Sequence, residues 1–394
     1  MDGAGHFDAI ALERVVYGRP AHEVLPEELE RLGTRRAFAL VSESLRTQTD
    51  VIEKIETELG GRLAGVYSGM PPHTPREAVI EAARQAGEVN TDLIVTIGGG
   101  SLTDAGKLVQ LCLEHQLDTV ESLEPFVTRI CADGKSVVPD IRAPQVRQLT
   151  VPTTLSGGEF GYGAGCTDSQ LQVKQMFRHR LFVPKMVVLD PALTVHTPSW
   201  LWLSTGIRAV DHAVETLCSP FSTPHSDGPA LHALRLLGQG LRASIDDPQN
   251  LEARLQCQLG VWASMEHNED GVPMGASHGI GHVLGGSCGV PHGHTSCVML
   301  PAVLRWNALA NTSEIHQRQA LVSEAMGRAG DDAADVIDDF VRGLGLPRTL
   351  GAVGVGSDDF ERVAQHSMHD RYIHTNPRPI AGPHDIVEIL KLAA

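Results

Sequence analysis

The sequence lacks several features that would assign a protein to a class at once. It has no run of apolar residues that approaches a membrane span. Its first residues contain no basic segment followed by an apolar core, so we expect no signal peptide. It has no basic excess, because the formal net charge is −16, and this argues against a general nucleic-acid binder. The sequence therefore predicts a cytoplasmic protein. If this protein binds an anion, its positive charge must be concentrated at the binding site.

The cysteines form no CxxC pair. There are seven of them, an odd number, and they are scattered along the chain. This pattern argues against a disulfide framework and against a structural zinc knuckle, and it fits a reducing compartment. Their positions are Cys112, Cys131, Cys166, Cys218, Cys257, Cys288 and Cys297.

The chain does have the length and apolar content for two domains. Its 394 residues are 42% apolar and 20% charged, which is typical of a soluble globular protein. In the first part, strand patterns such as 36–43 alternate with helical ones, which predicts a mostly parallel, Rossmann-like sheet with helices on both faces. From Pro198 onward the patterns are helical. We therefore predict a nucleotide-binding α/β domain over residues 1–165 and an all-helical substrate and catalytic domain over residues 166–394.

The segment IGGGSLTDAGK, Ile97–Lys107, has the pattern of a strand, a glycine turn and the start of a helix. Glycines let the backbone approach a pyrophosphate, and a helix N-terminus offers free N–H groups. The spacing matches neither GxGxxG nor the P-loop, so an ordinary tight turn is the alternative. The candidate nucleotide-binding residues here are Gly98, Gly99, Gly100 and Ser101.

Two further segments could contact the same nucleotide. Glu43 ends the second predicted strand, where a carboxylate can accept ribose hydroxyls and disfavours a 2′-phosphate, so it favours NAD over NADP. The alternative is a solvated glutamate. The loop Val151–Asp168 carries Thr153, Thr154 and Ser156, whose hydroxyls can donate to a phosphate or ribose. A flexible connection between domains is compatible with the same sequence.

Histidines cluster in the helical part. His278 and His282 are four residues apart and share a helix face, and His292 follows in VPHGH. On another predicted helix, Arg208 and His212 share a face in the same way. A lone histidine is most often structural, but this arrangement indicates an active site, and imidazoles suit zinc and iron.

In chain order, the motifs GGGSxxDxxK, PTT with a glycine turn and a glutamate, GxxAxxHAxE, HGxxHxLG and PHG resemble the iron-containing alcohol dehydrogenase superfamily. The resemblance covers nearly the whole chain. It implies a dehydroquinate-synthase-like architecture, an NAD-dependent oxidoreductase and a homodimer. By position it implies that the glycine loop holds the NAD pyrophosphate, with Asp104 beside it. It also implies that Thr153, Thr154 and Lys174 line the nicotinamide side.

Several segments are more similar to the maleylacetate reductase branch of that superfamily. HTPRE (His73–Glu77) resembles its HTPxE, HVLGGSCGVPH resembles HxLGGxxxxPH, and NPRPI (Asn376–Ile380) resembles NPRP. In PTTLSGGE the glutamate lies seven residues after Pro152, as in this branch. Asp104 and the long insert 116–145 depart from its pattern.

The superfamily's metal ligands are an aspartate, a histidine four residues on and two further histidines. The histidines match His212, His278 and His292, but Arg208 stands at the aspartate position. Asp211 does not replace it, because it lies about 100° from His212 around the helix. Exchanging a carboxylate for a guanidinium beside a dication changes four charge products of about 4 kcal/mol each, roughly 16 kcal/mol at most. We therefore expect no required metal.

The resulting hypothesis is an NAD-dependent reductase of a small anionic oxo acid, or of maleylacetate to 3-oxoadipate, in a cleft between the domains. Arg208 pairs with a substrate carboxylate or polarises a carbonyl, and His282 or His278 supplies the proton. Arg178, His179 and Arg180 of MFRHR, and Arg378, add cationic contacts if they face the cleft. The alternative is ordinary surface charge, which we prefer for Arg180. Two other interpretations stay open: a zinc- or iron-dependent alcohol dehydrogenase acting on a neutral aldehyde, and a non-catalytic nucleotide-binding protein.

Overall fold

The computed structural model describes residues 8–130, 136–171, 173–266 and 271–394. Within them the chain forms two compact units. One comprises Ala11–Trp202 and Ala243–Gln258, and the other is formed mainly by Leu203–Arg242 and Leu259–Ala394. Cys131 and the first part of the N-terminal segment lie outside the described residues, and the other six cysteines are free thiols.

The first unit is built on strands and the helices that connect them. The strands are β1 Arg14–Tyr17, β2 Ala37–Val41, β3 Leu63–Tyr67, β4 Leu93–Gly98, β5 Arg129–Ile130, β6 Ser136–Val137, β7 Arg147–Pro152, β8 Gly163–Asp168, β9 Val173–Arg178 and β10 Met186–Leu189. The helices are α1 Ala21–Leu32, α2 Glu43–Gln48, α3 Val51–Leu59, α4 Arg76–Glu88, α5 Gly100–His115 and α6 Pro191–Thr194. Six strands form one sheet in the order β1-β10-β7-β4-β2-β3, and every pairing in it is parallel.

Strand β2 shows why this sheet needs helices on both faces. Its side chains alternate between two apolar cores, because successive residues of a strand point to opposite faces. Phe38 and Leu40 pack into one core, and Ala37, Ala39 and Val41 pack into the other. The sequence of a strand that is buried on both faces is a continuous apolar run. Such a run was the basis for predicting β2.

The strand order predicts a candidate ligand position at the carboxyl ends of β2 and β4. These two strands are neighbours; β2 also pairs with β3, and β4 also pairs with β7. The chain thus leaves β2 toward one side of the sheet and leaves β4 toward the other. In open α/β sheets, ligands bind where the connections diverge in this way. Glu43 and Gly98–Gly100 follow β2 and β4 at that point.

An antiparallel hairpin, β8 with β9, lies where the sequence indicated a glycine-rich loop. It sets Lys174 opposite Thr167 in register. The Lys174 side chain lies over Gly165, where an added Cβ would come 2.0 Å from the lysine Cε. The hairpin, which the sequence patterns did not predict, therefore fixes the position of Lys174.

The regular secondary structure in the described residues of the second unit is helical. The helices that follow α6 are α7 Ser199–Cys218, α8 Pro224–Asp246, α9 Leu251–Met265, α10 Ala276–Cys288, α11 His292–Ala308, α12 Ser313–Ala325, α13 Ala333–Gly343, α14 Phe360–Ser367 and α15 Pro383–Leu392. Residues of α10, α11, α14 and α15 form its apolar core, among them Ile280, Met299, Val363 and Ile389. The predicted order, a parallel α/β region followed by a helical region, is confirmed. In the part of the chain that is described, no helix has the length and apolarity that a membrane span requires.

Candidate functional site

The glycine loop has the backbone geometry that only glycine accommodates. Strand β4 ends at Gly98 and α5 begins at Gly100. Gly98 has φ +154°, and a Cβ there would lie 2.3 Å from Leu102 Cδ1. A Cβ on Gly100 would lie 2.9 Å from Ser156 Oγ. The loop is thus closely packed by its own surroundings, and it leads directly into a helix N-terminus, the element that binds phosphate in many proteins.

The structure brings the second candidate loop against the first. The backbone N–H of Thr153 donates to the Gly98 carbonyl over 3.0 Å, and the hydroxyls of Thr154 and Ser156 are 3.3 Å apart. Ser101 contributes differently, because its Oγ accepts the backbone N–H of His73 over 3.1 Å. The predicted hydroxyl residues therefore surround one short loop.

Asp104 on α5 and Lys174 on β9 lie close to each other. Asp104 Oδ2 accepts the backbone N–H of Gly165 over 3.1 Å and is 4.0 Å from Lys174 Nζ. Asp104 thus ties α5 to the hairpin that carries Lys174. Glu43 is exposed and is the first residue of α2. The sequence interpretation had placed it at the end of the strand, whereas in the structure it follows the strand.

Helix α7 carries four buried ionisable side chains of the second unit, namely Arg208, Asp211, His212 and Glu215. Arg208 Nη1 donates to Ser296 Oγ over 3.1 Å and lies 4.0 Å from Asp211 Oδ2. Burial lowers the pKa of Arg208, and the charge of Asp211 opposes that shift. An arginine stays protonated in proteins, so α7 holds a permanent cation inside the unit.

Asp211 is a buried carboxylate of this cluster that the sequence interpretation considered only as a metal ligand and otherwise gave no role. Its Oδ2 accepts the hydroxyls of Ser277 over 2.8 Å and Ser296 over 2.6 Å, and its Oδ1 has no partner among the described residues. Burial raises its pKa, and the charge of Arg208 opposes that shift. A signal was present, because Arg208 and Asp211 are three residues apart on a helix, the spacing of an intrahelical ion pair.

Glu215 positions the first histidine of α10. Its two oxygens accept the backbone N–H groups of Gly275 and Ser277, each over 2.8 Å, so the carboxylate caps the helix N-terminus. Its Oε2 is also 2.7 Å from His278 Nδ1. Burial, and then the nearby charge of Asp211, raise the pKa of this carboxyl. The network fixes the His278 ring from the side of α7.

The four predicted histidines lie near one another in the second unit. The His212 and His278 ring centroids are 4.7 Å apart, and those of His282 and His292 are 5.8 Å apart. His212 and His278 are buried, and burial followed by the charge of Arg208 lowers both pKa values well below the usual range. His282 is partly exposed, and its Nδ1 lies 2.8 Å from Asp370 Oδ2.

These residues do not fit the metal set that the superfamily resemblance implies. Arg208 is buried where the aspartate ligand would stand, and a guanidinium 4 Å from a dication is repelled by about 8 kcal/mol at an effective dielectric near 20. Within the described residues, the group whose ligand atoms lie within 4.8 Å of one another is Asp211, Glu215 and His278. Asp211 Oδ2, both Glu215 oxygens and His278 Nδ1 already hold the hydrogen bonds described above, and neither His212 nor His292 belongs to that group.

The other arginines that the sequence suggested as cationic contacts are engaged in packing. The Arg378 guanidinium carbon lies 3.6 Å from the centre of the Trp306 ring, and Nη1 donates to the Trp306 carbonyl over 2.7 Å. Arg178 stacks over Tyr162 at 5.0 Å. Of these arginines, Arg208 is the one that lies among the histidines.

Comparison with known proteins gives full-length matches. The family model described as iron-containing alcohol dehydrogenase matches residues 13–191, and the model described as the C-terminal part of the Fe-containing alcohol dehydrogenase family matches residues 202–394. Dehydrogenase FUM7 of Gibberella moniliformis is 33% identical over 96% of each chain. Maleylacetate reductase 2 of Cupriavidus pinatubonensis is 30% identical, over 96% of this chain and 94% of the relative.

A solved structure gives the same match. The crystal structure of maleylacetate reductase from Agrobacterium tumefaciens aligns with a TM-score of 0.81 and 27% identity, over 100% of this chain and 98% of that chain. Because the match covers 100% of this chain, it includes the parallel sheet, the glycine loop and the helices that carry the histidines.

Proposed function

We propose that this chain, which belongs to the iron-containing alcohol dehydrogenase family, is an NAD-dependent reductase of a small oxo or enoyl acid. We also propose that the enzyme needs no metal. The family matches and full-length relatives show an oxidoreductase, and the predicted likeness to the maleylacetate reductase branch is confirmed. Maleylacetate, with 3-oxoadipate as the product, is the first substrate to test.

The observation that carries this proposal is the buried guanidinium of Arg208 among the histidines. Within the described residues its one hydrogen bond uses Nη1, and a guanidinium has five N–H donors. Nε and Nη2 therefore remain available to a ligand. A buried cation with free donors favours a carboxylate, or an oxygen that gains negative charge during reaction, over a neutral group.

The first unit supplies the groups that a dinucleotide without a 2′-phosphate needs. The start of α5, behind Gly98 and Gly100, offers backbone N–H groups to the pyrophosphate, and Thr153 and Thr154 offer hydroxyls. The exposed carboxylate of Glu43 follows the neighbouring strand, where it can accept ribose hydroxyls. When bound, NADH supplies the hydride.

Reduction of a carbonyl or of a conjugated alkene leaves negative charge on the substrate oxygen, and a proton must follow. Arg208 stabilises that charge. His282 is the better proton donor of the two predicted histidines, because its side chain is 32% exposed and that of His278 is 2% exposed. The Nδ1 atom of His278 is, in addition, engaged by Glu215.

Purified protein tests the proposal directly. Metal content is measured, and NADH oxidation is followed with maleylacetate, with other oxo acids and with uncharged aldehydes of similar size, before and after a chelator. We expect turnover of the oxo acids, no stoichiometric iron or zinc, and no effect of the chelator. One tightly bound metal per chain, with activity lost to the chelator, would contradict the metal-free part.

One observation favours a second candidate, a zinc- or iron-dependent alcohol dehydrogenase. The Nε2 atom of His278 is buried without a partner in the described residues, while Nδ1 contacts the Glu215 carboxylate. An imidazole backed by a carboxylate in this way is the common arrangement of metal-bound histidines. Turnover of neutral aldehydes, dependent on added metal and faster than that of any oxo acid, would support this candidate instead.

A further inference from the structure

The imidazole of His282 contacts a carboxylate that comes from a distant part of the chain. Its Nδ1 lies 2.8 Å from Asp370 Oδ2, while the other oxygen of Asp370 accepts the backbone N–H of Tyr372 over 2.9 Å. The carboxylate is therefore held by the backbone on one side and faces the imidazole on the other. Its side chain is 15% exposed, so the pair lies at the edge of the histidine cluster rather than within it.

This contact decides which ring nitrogen is available. A carboxylate that faces Nδ1 keeps the proton there, because an N–H to a carboxylate is a charge-assisted hydrogen bond. The Nε2 atom of His282 is then left for the substrate. His278 has a similar carboxylate in Glu215, but its ring is buried. The two histidines share a face of α10, and their different exposure separates their roles.

We propose that Asp370 is the positioning residue that holds His282 as the proton donor of the reduction. The proposal rests on the proposed function, since a proton donor is needed only if the chain reduces a carbonyl or an activated alkene. Asp370 acts through His282 and makes no contact with substrate itself. The ring of Tyr372, whose centroid is 5.8 Å from that of His282, limits the directions in which the imidazole can turn.

The step balances as a two-electron reduction. Hydride from NADH forms a new C–H bond and leaves an enolate or alkoxide, and NADH becomes NAD⁺. The Nε2–H bond of protonated His282 then breaks as a C–H or O–H bond forms on the product. The imidazole is left neutral, with its remaining proton on Nδ1 facing Asp370, and solvent restores the second proton at Nε2.

The test compares three variants of the full-length enzyme: Asp370→Asn, His282→Gln and the double variant. Asparagine keeps an oxygen for the Tyr372 N–H and removes the charge. We expect His282→Gln to lower kcat by about 10²- to 10⁴-fold, the usual contribution of a general acid. We expect Asp370→Asn to lower kcat by about 10- to 100-fold, the scale known for carboxylates that orient metal-bound imidazoles, with KM for substrate and NADH affinity unchanged.

The double variant separates positioning from a general structural effect. If Asp370 acts through His282, the double variant is no slower than His282→Gln, because residues that act as a unit are not additive. Asp332→Asn is the matched control, since Asp332 also caps backbone N–H groups, those of Ala334 and Asp335, and contacts no histidine of the described ranges. It should keep wild-type kinetics.

Two results would overturn the proposal. One is a kcat for Asp370→Asn equal to that of the wild type, and the other is a double variant whose losses multiply. Failure of the proposed function looks different, because it appears in the wild type as turnover of aldehydes but not of oxo acids. The variant series can be run on an aldehyde in that case, since an alkoxide needs the same proton.

Discussion

Arg208 and Asp211 form a buried charge pair within one turn of α7, with 4.0 Å between Nη1 and Oδ2. Ser296 connects them, because it accepts from Arg208 and donates to Asp211. Burying an unpaired cation costs free energy, and the carboxylate of Asp211 offsets part of that cost for Arg208. The superfamily pattern has a carboxylate at position 208; in this chain the carboxylate of the pair lies three residues further along the helix, at position 211.

Arg208→Asp tests whether the cation has taken the place of a metal ligand. The variant places a third carboxylate beside the histidines, so we expect it to bind zinc or iron more tightly than the wild type. The KM for carboxylate substrates should rise about 10- to 100-fold, since a hydrogen bond to a charged group contributes roughly 1.5–3 kcal/mol. Metal content and kinetics on the same preparation check both effects. Arg208→Lys, which keeps the charge, should take up no metal.

Removing one partner of the buried pair should destabilise the protein more than removing both. Asp211→Asn leaves Arg208 without its counter-charge, and we expect a loss of about 3–5 kcal/mol in the free energy of unfolding. In the double variant Arg208→Met with Asp211→Asn, most of the lost stability should be regained, because neither charge remains buried. Urea unfolding of the single and double variants measures the coupling.

Additive losses in that cycle would show that the two side chains are independent. The exposed pair of Arg84 and Glu81, three residues apart on α4, provides the comparison, because solvent screens such pairs. Glu81→Gln should leave the unfolding curve unchanged.

Local sequence patterns predicted the elements that are determined by residues close together in the chain. The apolar run that ends at Val41, the glycines at 98–100 and the four-residue spacing of His278 and His282 each report a strand, a turn or a helix face by themselves. The structure shows the strand and the turn as predicted, and it shows the two histidines on one helix. These features depend on neighbours in the chain, so one sequence suffices to find them.

The contacts that assemble the site come from distant parts of the chain and could not be found in this way. Ser296 and Ser277 reach Asp211 from two other helices. Asp370 reaches His282 from 88 residues away in sequence. Nothing in the local pattern around any of them indicates the pairing. The β8–β9 hairpin was missed for a related reason, because its glycine-rich first strand resembles a loop until its partner strand is known.

Gly98→Ala should weaken NADH binding. A Cβ at this position meets Leu102 Cδ1 at 2.3 Å, and the backbone φ of +154° is one that residues with a side chain rarely adopt. Such strain costs roughly 1–3 kcal/mol, so we expect the Kd for NADH to rise about 10-fold or more. Fluorescence titration measures it. Gly61→Ala, which has no atom within 4 Å of the added Cβ, should bind NADH as the wild type does, and equal affinities for both variants would argue against a role of the loop.

The stability of the first unit should fall as the pH rises, because of Glu159. This side chain is buried, its Oε2 has no partner in the described residues, and burial raises its pKa from 4.5 to about 7. The folded state thus binds the proton more tightly than the unfolded state. The resulting stability is present below about pH 4.5 and is lost as the pH passes through 7, by about 3 kcal/mol at 1.36 kcal/mol per pKa unit. Glu159→Gln keeps the shape without the charge, so unfolding free energies at pH 5 and pH 8 should differ less in this variant than in the wild type. The exposed Glu53→Gln variant should behave as the wild type does. An identical pH dependence in all three proteins would show that interactions in the folded state offset the free-energy cost of burying the Glu159 carboxylate.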